Sequence, residues 1–181
     1  MNLNTQLENF KKVVTLLVEK KGEQEAKNIL TSSVYLFSMG GNDYFRYNMQ
    51  YSNSTKSERV AFMQTVVANL TNGFKEIYAL GGRKFAIQNV GPLGCLPSTK
   101  ANHPELNGFK EGKVACCGSG LYNGRNCGKG SYNLCKNPSE YVFFDGGHTT
   151  QNTNRQLAEL LWSGEPTVTG PYNVKQLFEF P

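Results

Sequence analysis

Two short apolar runs bracket one long amphipathic stretch, and that order limits the fold more than any other feature of the chain. The first run, SVYLFS at residues 33–38, is closed by Met39-Gly40-Gly41 and reads as a buried strand ending in a tight loop. From Ser57 to Leu80 the residues Val60, Met63, Val66, Val67, Leu70, Phe74, Ile77 and Tyr78 line one side, which predicts a long helix with Ser57 as its N-cap. Gly81-Gly82 ends that helix. RKFAIQNV, residues 83–90, is the next strand, and Gly91-Pro92 turns the chain away. Strand, long helix, strand predicts a parallel βαβ unit, hence an α/β fold.

The flanks are read in the same way. Leu7, Phe10, Val13, Val14, Leu17 and Val18 recur at helical spacing over residues 5–20. Gly22 interrupts that helix, and Glu23–Ile29 forms a short second one. Tyr44–Thr55 is polar and rich in Tyr and Asn, and reads as a loop. Leu93–Pro138 is irregular, and a loop that long counts against a complete fold. YVFF at residues 141–144 is expected to be a strand. Thr149 is expected to cap a helix from Thr150 to Leu161 with Leu157, Leu160 and Leu161 inward, and Pro166–Pro181 to be extended.

Composition narrows the class. Among 181 residues, 39% are hydrophobic and 18% charged, which suits a globular domain rather than a disordered one. No apolar run reaches the roughly 18 residues of a membrane span, so no integral membrane segment is expected. The first residues, MNLNTQLENFKKVV, have no apolar core before a small-residue cleavage site and do not read as a signal peptide. The net charge of +5 is scattered over Lys11, Lys12, Lys20, Lys21, Arg83, Lys84, Lys110 and Lys113, so nucleic acid is not an expected partner. Four of the five cysteines, Cys116, Cys117, Cys127 and Cys135, fall in a Gly-, Asn- and Ser-rich stretch; the fifth is Cys95. Their spacing does not suit zinc, whereas a disulfide-stapled loop fits and points to an oxidising compartment. The triplets Asn53-Ser54-Thr55 and Asn69-Leu70-Thr71 have the form of glycan acceptors and agree with secretion.

Two clusters bear chemistry, each just past a predicted strand, where open α/β sheets bind ligands. In Gly40-Gly41-Asn42-Asp43 the glycines allow close backbone approach and the Asn42 amide can donate to a developing oxyanion. The same four residues also make an ordinary turn, and taken alone they favour it. In Asp145-Gly146-Gly147-His148 the glycines let the carboxylate fold back onto the imidazole Nδ1, freeing Nε2 as a general base. His148 is equally compatible with a place beside a helix cap. The other histidine, His103, lies in an Asn-His-Pro loop and is expected to be solvated.

In order along the chain, SVYLFSMGGNDY, IYALGGRKFAIQNVGPLGCLP, KVACCGSGLYNGRNC and NPSEYVFFDGGHTTQNTNRQLAELLWSG resemble the plant GDSL esterase/lipase family of the SGNH hydrolase superfamily. The resemblance covers nearly the whole chain. It implies a partial flavodoxin-like three-layer α/β/α sandwich with a parallel sheet, forming one domain over residues 1–181 with the first strand missing. It implies an ester hydrolase working on acyl esters or lipids through a Ser-His-Asp triad, with no cofactor and no metal. Asp145 and His148 map onto the acid and base, Asn42 onto an oxyanion-hole donor, and Gly40, Gly41 and Asp43 onto its supporting loop. It implies a secreted parent protein.

Two departures accompany the match. The family's nucleophile belongs to a Gly-Asp-Ser block, and no such block occurs in these 181 residues. Ser119, in Cys117-Gly118-Ser119-Gly120, is not a nucleophile elbow, and Ser38 has no catalytic role in the family. Asn107-Gly108 runs directly into Phe109-Lys110 where related chains have a helical segment, one expected to hold the partner of Cys95. The expectation is therefore weak or absent hydrolysis by this chain alone, with a non-catalytic secreted binding protein or an inactive fragment as the alternative.

Overall fold

The computed structural model describes residues 2–91, 93–102 and 113–181. These form two compact units, residues 1–90 with 174–181, and residues 91–173. His103 and the Asn107–Lys110 junction lie outside the described residues.

The first unit is α/β. Helix α1 (Leu3–Lys21) is capped by the Asn2 side chain, which accepts from Thr5 N–H, and it ends at Gly22. Helix α2 (Glu23–Ser32) follows directly. Strand β1 (Val34–Ser38) pairs in parallel with β2 (Lys84–Gln88), Val34 opposite Lys84 and Ser38 opposite Gln88. Helix α4 (Lys56–Ala79) is the crossover between them, as the strand–helix–strand order predicts. Alternation along β1 sends Tyr35 and Phe37 to one face, where Phe37 meets Leu7 of α1 and Ile77 of α4. Phe74 stands edge-on to Phe37 at 4.7 Å, and Phe85 stacks on Tyr35 at 5.6 Å. Burying side chains of this size stabilises by roughly 1.5–3 kcal/mol each. The whole is an α/β arrangement built on a parallel sheet, compatible with part of an α/β/α sandwich.

Three expectations for this unit need correction. Residues expected to be loop from Tyr44 onward form helix α3 (Gly41–Gln50). Tyr47 stacks on Phe62 of α4 at 4.1 Å and Tyr44 meets the same ring edge-on at 6.0 Å, so packing overrides the weak helical composition. The cap of α4 is Thr55, not Ser57: Thr55 and Glu58 form a reciprocal capping box. The C-terminal tail is not extended throughout. Its residues Val174–Glu179 form α7, beside β2, where Lys84 Nζ donates to Phe180 O at 2.5 Å.

The second unit is rich in loops. Its helix α5 (Pro97–Asn102) breaks the expected irregular stretch, and β3 (Cys117–Gly118) pairs antiparallel with β4 (Asn133–Leu134). Disulfides join Cys116 to Cys135 and Cys117 to Cys127, as the stapled-loop reading expects; Cys95 is free among the described residues. The YVFF run is not a strand. It contributes one isolated bridge, Phe143 to Thr149, because its carbonyls are taken by N–H groups of the cysteine segment and of its own return. Helix α6 (Gln151–Ser163) is capped by Thr150 rather than Thr149, and Leu157 and Leu160 are exposed rather than inward. No helix among the described residues is long and apolar enough to cross a membrane.

Candidate functional site

Gly40 closes β1 in the left-handed region, at φ 101°. It is buried, and a Cβ there would press on the Val90 side chain at 3.3 Å, so conformation and space both favour glycine. The turn it makes starts α3, which places Gly41, Asn42 and Asp43 in the first helical turn. Asn42 and Asp43 are exposed. First-turn N–H groups have no intrahelical acceptor and face a negative charge favourably. The Gly-Gly-Asn-Asp segment is thus a turn that starts α3, with Asn42 exposed in the first helical turn.

Asp145 and His148 meet in the second unit. Asp145 Oδ1 accepts from the N–H groups of Gly147 and His148, both at 2.8 Å, which folds the loop back on itself. The imidazole Nδ1 then lies 2.8 Å from Oδ1 and 2.9 Å from Oδ2. Partial burial pushes the Asp145 carboxyl up, but the Gly147 N–H, the His148 ring and the His148 N–H outweigh it and hold the group below the ordinary aspartate value. An ionised carboxylate only accepts, so the ring must carry its proton on Nδ1. Nε2 is then left with its lone pair, has no hydrogen-bond partner among the described residues, and belongs to a side chain 82% exposed. Such a nitrogen can take a proton from an alcohol and return it.

Asp145 and His148 are therefore brought together within one loop. Asn42, with Gly40, Gly41 and Asp43, belongs to the other compact unit. Ser119 is held in the cysteine loop, its N–H donating to Arg125 O at 2.7 Å and its hydroxyl accepting from Asn126 Nδ2 at 3.3 Å. Two supporting residues, Thr150 and Gly124, escaped the sequence reading. Thr150, 2% exposed, donates from Oγ1 to Tyr141 O at 2.7 Å and accepts from Thr153 N–H. Gly124 and Gly146 lie with backbones so close that a Cβ on Gly146 would overlap Gly124 O. A polar residue directly before a helix was a readable sign for Thr150; nothing local marked the glycine contact, which joins residues far apart in the chain.

The GDSL-like lipase/acylhydrolase family model matches residues 1–161. The chain belongs to that family. GDSL esterase/lipase 1 of Arabidopsis thaliana is 39% identical to this GDSL-family chain, covering 99% of it and 64% of the relative. GDSL esterase/lipase 3 of the same plant is 36% identical, covering 99% and 65%. A third Arabidopsis relative, named inactive GDSL esterase/lipase-like protein 25, is 32% identical over 93% of this chain and 54% of its own length. The chain thus spans under two thirds of the length of these relatives. The first alignment runs over 241 positions against a chain of 181, so that relative carries residues inside the matched span that this GDSL-family chain does not. No solved structure matches.

Proposed function

We propose that the chain carries the acid and base of a carboxylic ester hydrolase. The observation behind this reading is the Asp145–His148 contact, made by both carboxylate oxygens to one ring nitrogen while the other nitrogen is left open. In the proposed reaction a serine hydroxyl gives its proton to Nε2 as its oxygen attacks the ester carbonyl. Asp145 stabilises the imidazolium that results. The Asn42 amide donates to the oxyanion, a contribution of about 2.7–4 kcal/mol in hydrolases of this type. The imidazolium then protonates the departing alcohol; a water molecule, deprotonated at Nε2, next attacks the acyl-serine carbonyl, and the serine oxygen leaves with that proton as the acid is released. The substrate is an acyl ester, lipids included, and the disulfides suit an oxidising, extracytoplasmic setting.

These residues do not supply the serine, since no Gly-Asp-Ser block occurs among them. A second reading, a family member that binds esters without cleaving them, draws on that gap and on the relative whose name marks it inactive. The deciding experiment compares two proteins on p-nitrophenyl esters of short and long acids. One is the 181-residue chain. The other is that chain fused behind the Gly-Asp-Ser-containing part of GDSL esterase/lipase 1. The fusion is expected to hydrolyse and to lose nearly all activity on His148→Ala, while the chain alone stays near background. Circular dichroism accompanies each assay to establish that both fusions are folded. A folded His148→Ala fusion that still hydrolyses as fast as its parent ends the proposal.

A further inference from the structure

The loop bearing Asp145 and His148 has few supports of its own. The His148 side chain is largely exposed, and Asp145 is its hydrogen-bond partner. The backbone leading into Asp145 is held from elsewhere, by the cysteine segment. Cys116 N–H donates to Phe143 O at 3.0 Å and Cys117 N–H to Phe144 O at 2.7 Å, the last two carbonyls before Asp145. Both donors are buried, 1% and 3% exposed, and each is tied by a disulfide, to Cys135 and to Cys127. Cys135 N–H donates in turn to Cys116 O at 2.8 Å. Inside the loop, Phe144 N–H donates to His148 O at 2.8 Å, which sets where the histidine backbone returns.

The far side of the loop is seated as closely. Ser98 N–H donates to Gly146 O at 2.9 Å. Gly146 also lies against the backbone of Gly124, and Gly124 sits within the ten-residue separation closed by the Cys117–Cys127 bridge. One disulfide loop therefore touches the acid–base loop twice, through Cys117 before the aspartate and through Gly124 after it.

We infer that the twin-disulfide segment is the mount of the acid–base pair, with Cys116, Cys117 and Gly146 as positioning residues for Asp145 and His148. The inference takes its functional meaning from the ester-hydrolase reading, although its geometry stands without it. Hydrogen bonds from a covalently closed loop set the loop's backbone, the backbone folds the carboxylate inward, and the carboxylate holds the ring. Opening the bridges frees the first link. Dithiothreitol does this by closing to its own cyclic disulfide while each bridge takes up two electrons and two protons to become two thiols.

The test uses the isotope-labelled 181-residue chain, oxidised and after dithiothreitol, with Gly146→Ala as a variant that keeps both bridges. Nuclear magnetic resonance reads amide exchange at Cys116, Cys117 and Phe144, and the His148 Nδ1–H signal. Reduction is expected to lower protection at those three amides by about tenfold or more and to broaden or shift the Nδ1–H signal, while amides in the body of α6 keep theirs. Gly146→Ala is expected to disturb the His148 signal with the bridges intact. Unchanged protection on reduction would overturn the inference. So would an equal loss through α6, which would make the bridges a general staple of the unit, and so would an unperturbed His148 signal in Gly146→Ala. No substrate enters these measurements, so an inactive fusion in the ester assay leaves this result standing, and a failed mount leaves that assay standing.

Discussion

At the scale of single residues, Asp145 is the group with most to show. Its carboxyl lies below the ordinary aspartate value in the folded chain, so its ionised form contributes stability that is fully present above the unfolded value and is lost as pH falls through the folded one. The expected window is therefore acid, below the ordinary aspartate range. Lowering pH through it should release the Gly147 and His148 N–H groups from Oδ1, seen as shifts of those two amide signals ahead of any change in α1 or α4. A titration in which those amides move near neutrality instead would mean that another group controls the loop. In the fusion, Asp145→Asn keeps the shape of the side chain but removes the ionised acceptor, and kcat is expected to fall by about 10⁴ if the pair works as a triad does.

Elements show why part of this was readable from sequence and part was not. The βαβ unit was legible because its signal is long: a strand of five residues, a 24-residue helix and a second strand, each with its own period and stop. The Asp145–His148 contact was legible because the two glycines between them let the carboxylate turn back onto the ring, whereas the cysteine segment that seats this turn left no local sign. Helix α3 was not, since Tyr44 and Tyr47 look like loop residues until Phe62, well over a dozen positions on, gives their rings a surface. YVFF misled for the opposite reason: its residues favour a strand, but its carbonyls are taken by the N–H groups of Cys116, Cys117 and Thr150, and among the described residues it makes only an isolated bridge. The caps slipped by one or two positions because several Ser and Thr residues stand together before each helix. Thr149 and Thr150 make that difference measurable. Thr150 caps α6 and is buried, so Thr150→Ala is expected to cost about 1–2 kcal/mol in chemical denaturation. Thr149 only reaches Asn154 Oδ1 on the surface, and its replacement by Ala should stay within about 0.5 kcal/mol. A larger cost at Thr149 than at Thr150 would place the cap where the sequence alone suggested it.

For the molecule as a whole, the sheet of the first unit decides how the 181-residue chain behaves in water. One face is core: Phe37 is 8% exposed between α1 and α4. Alternation turns Leu36 to the other face, where it is 60% exposed although its register partner, Ala86, is buried. Among the described residues this sheet has two strands and open edges, and open edges beside an exposed apolar residue invite pairing with another copy. The 181-residue chain is therefore expected to self-associate as its concentration rises. Two neighbours in one strand should respond in opposite ways. Phe37→Ala empties the core and is expected to cost about 3–5 kcal/mol in denaturant unfolding. Leu36→Lys puts a charge on the open face, and should leave the unfolding midpoint nearly unchanged while shifting sedimentation velocity toward the monomer. If Leu36→Lys instead unfolds the chain, that face is packed in solution and the sheet is covered on both sides. The fusion to the Gly-Asp-Ser-containing part of GDSL esterase/lipase 1 gives the same substitution a second use: a loss of stability on Leu36→Lys that appears only in the fusion would mean that the added segment lies over β1.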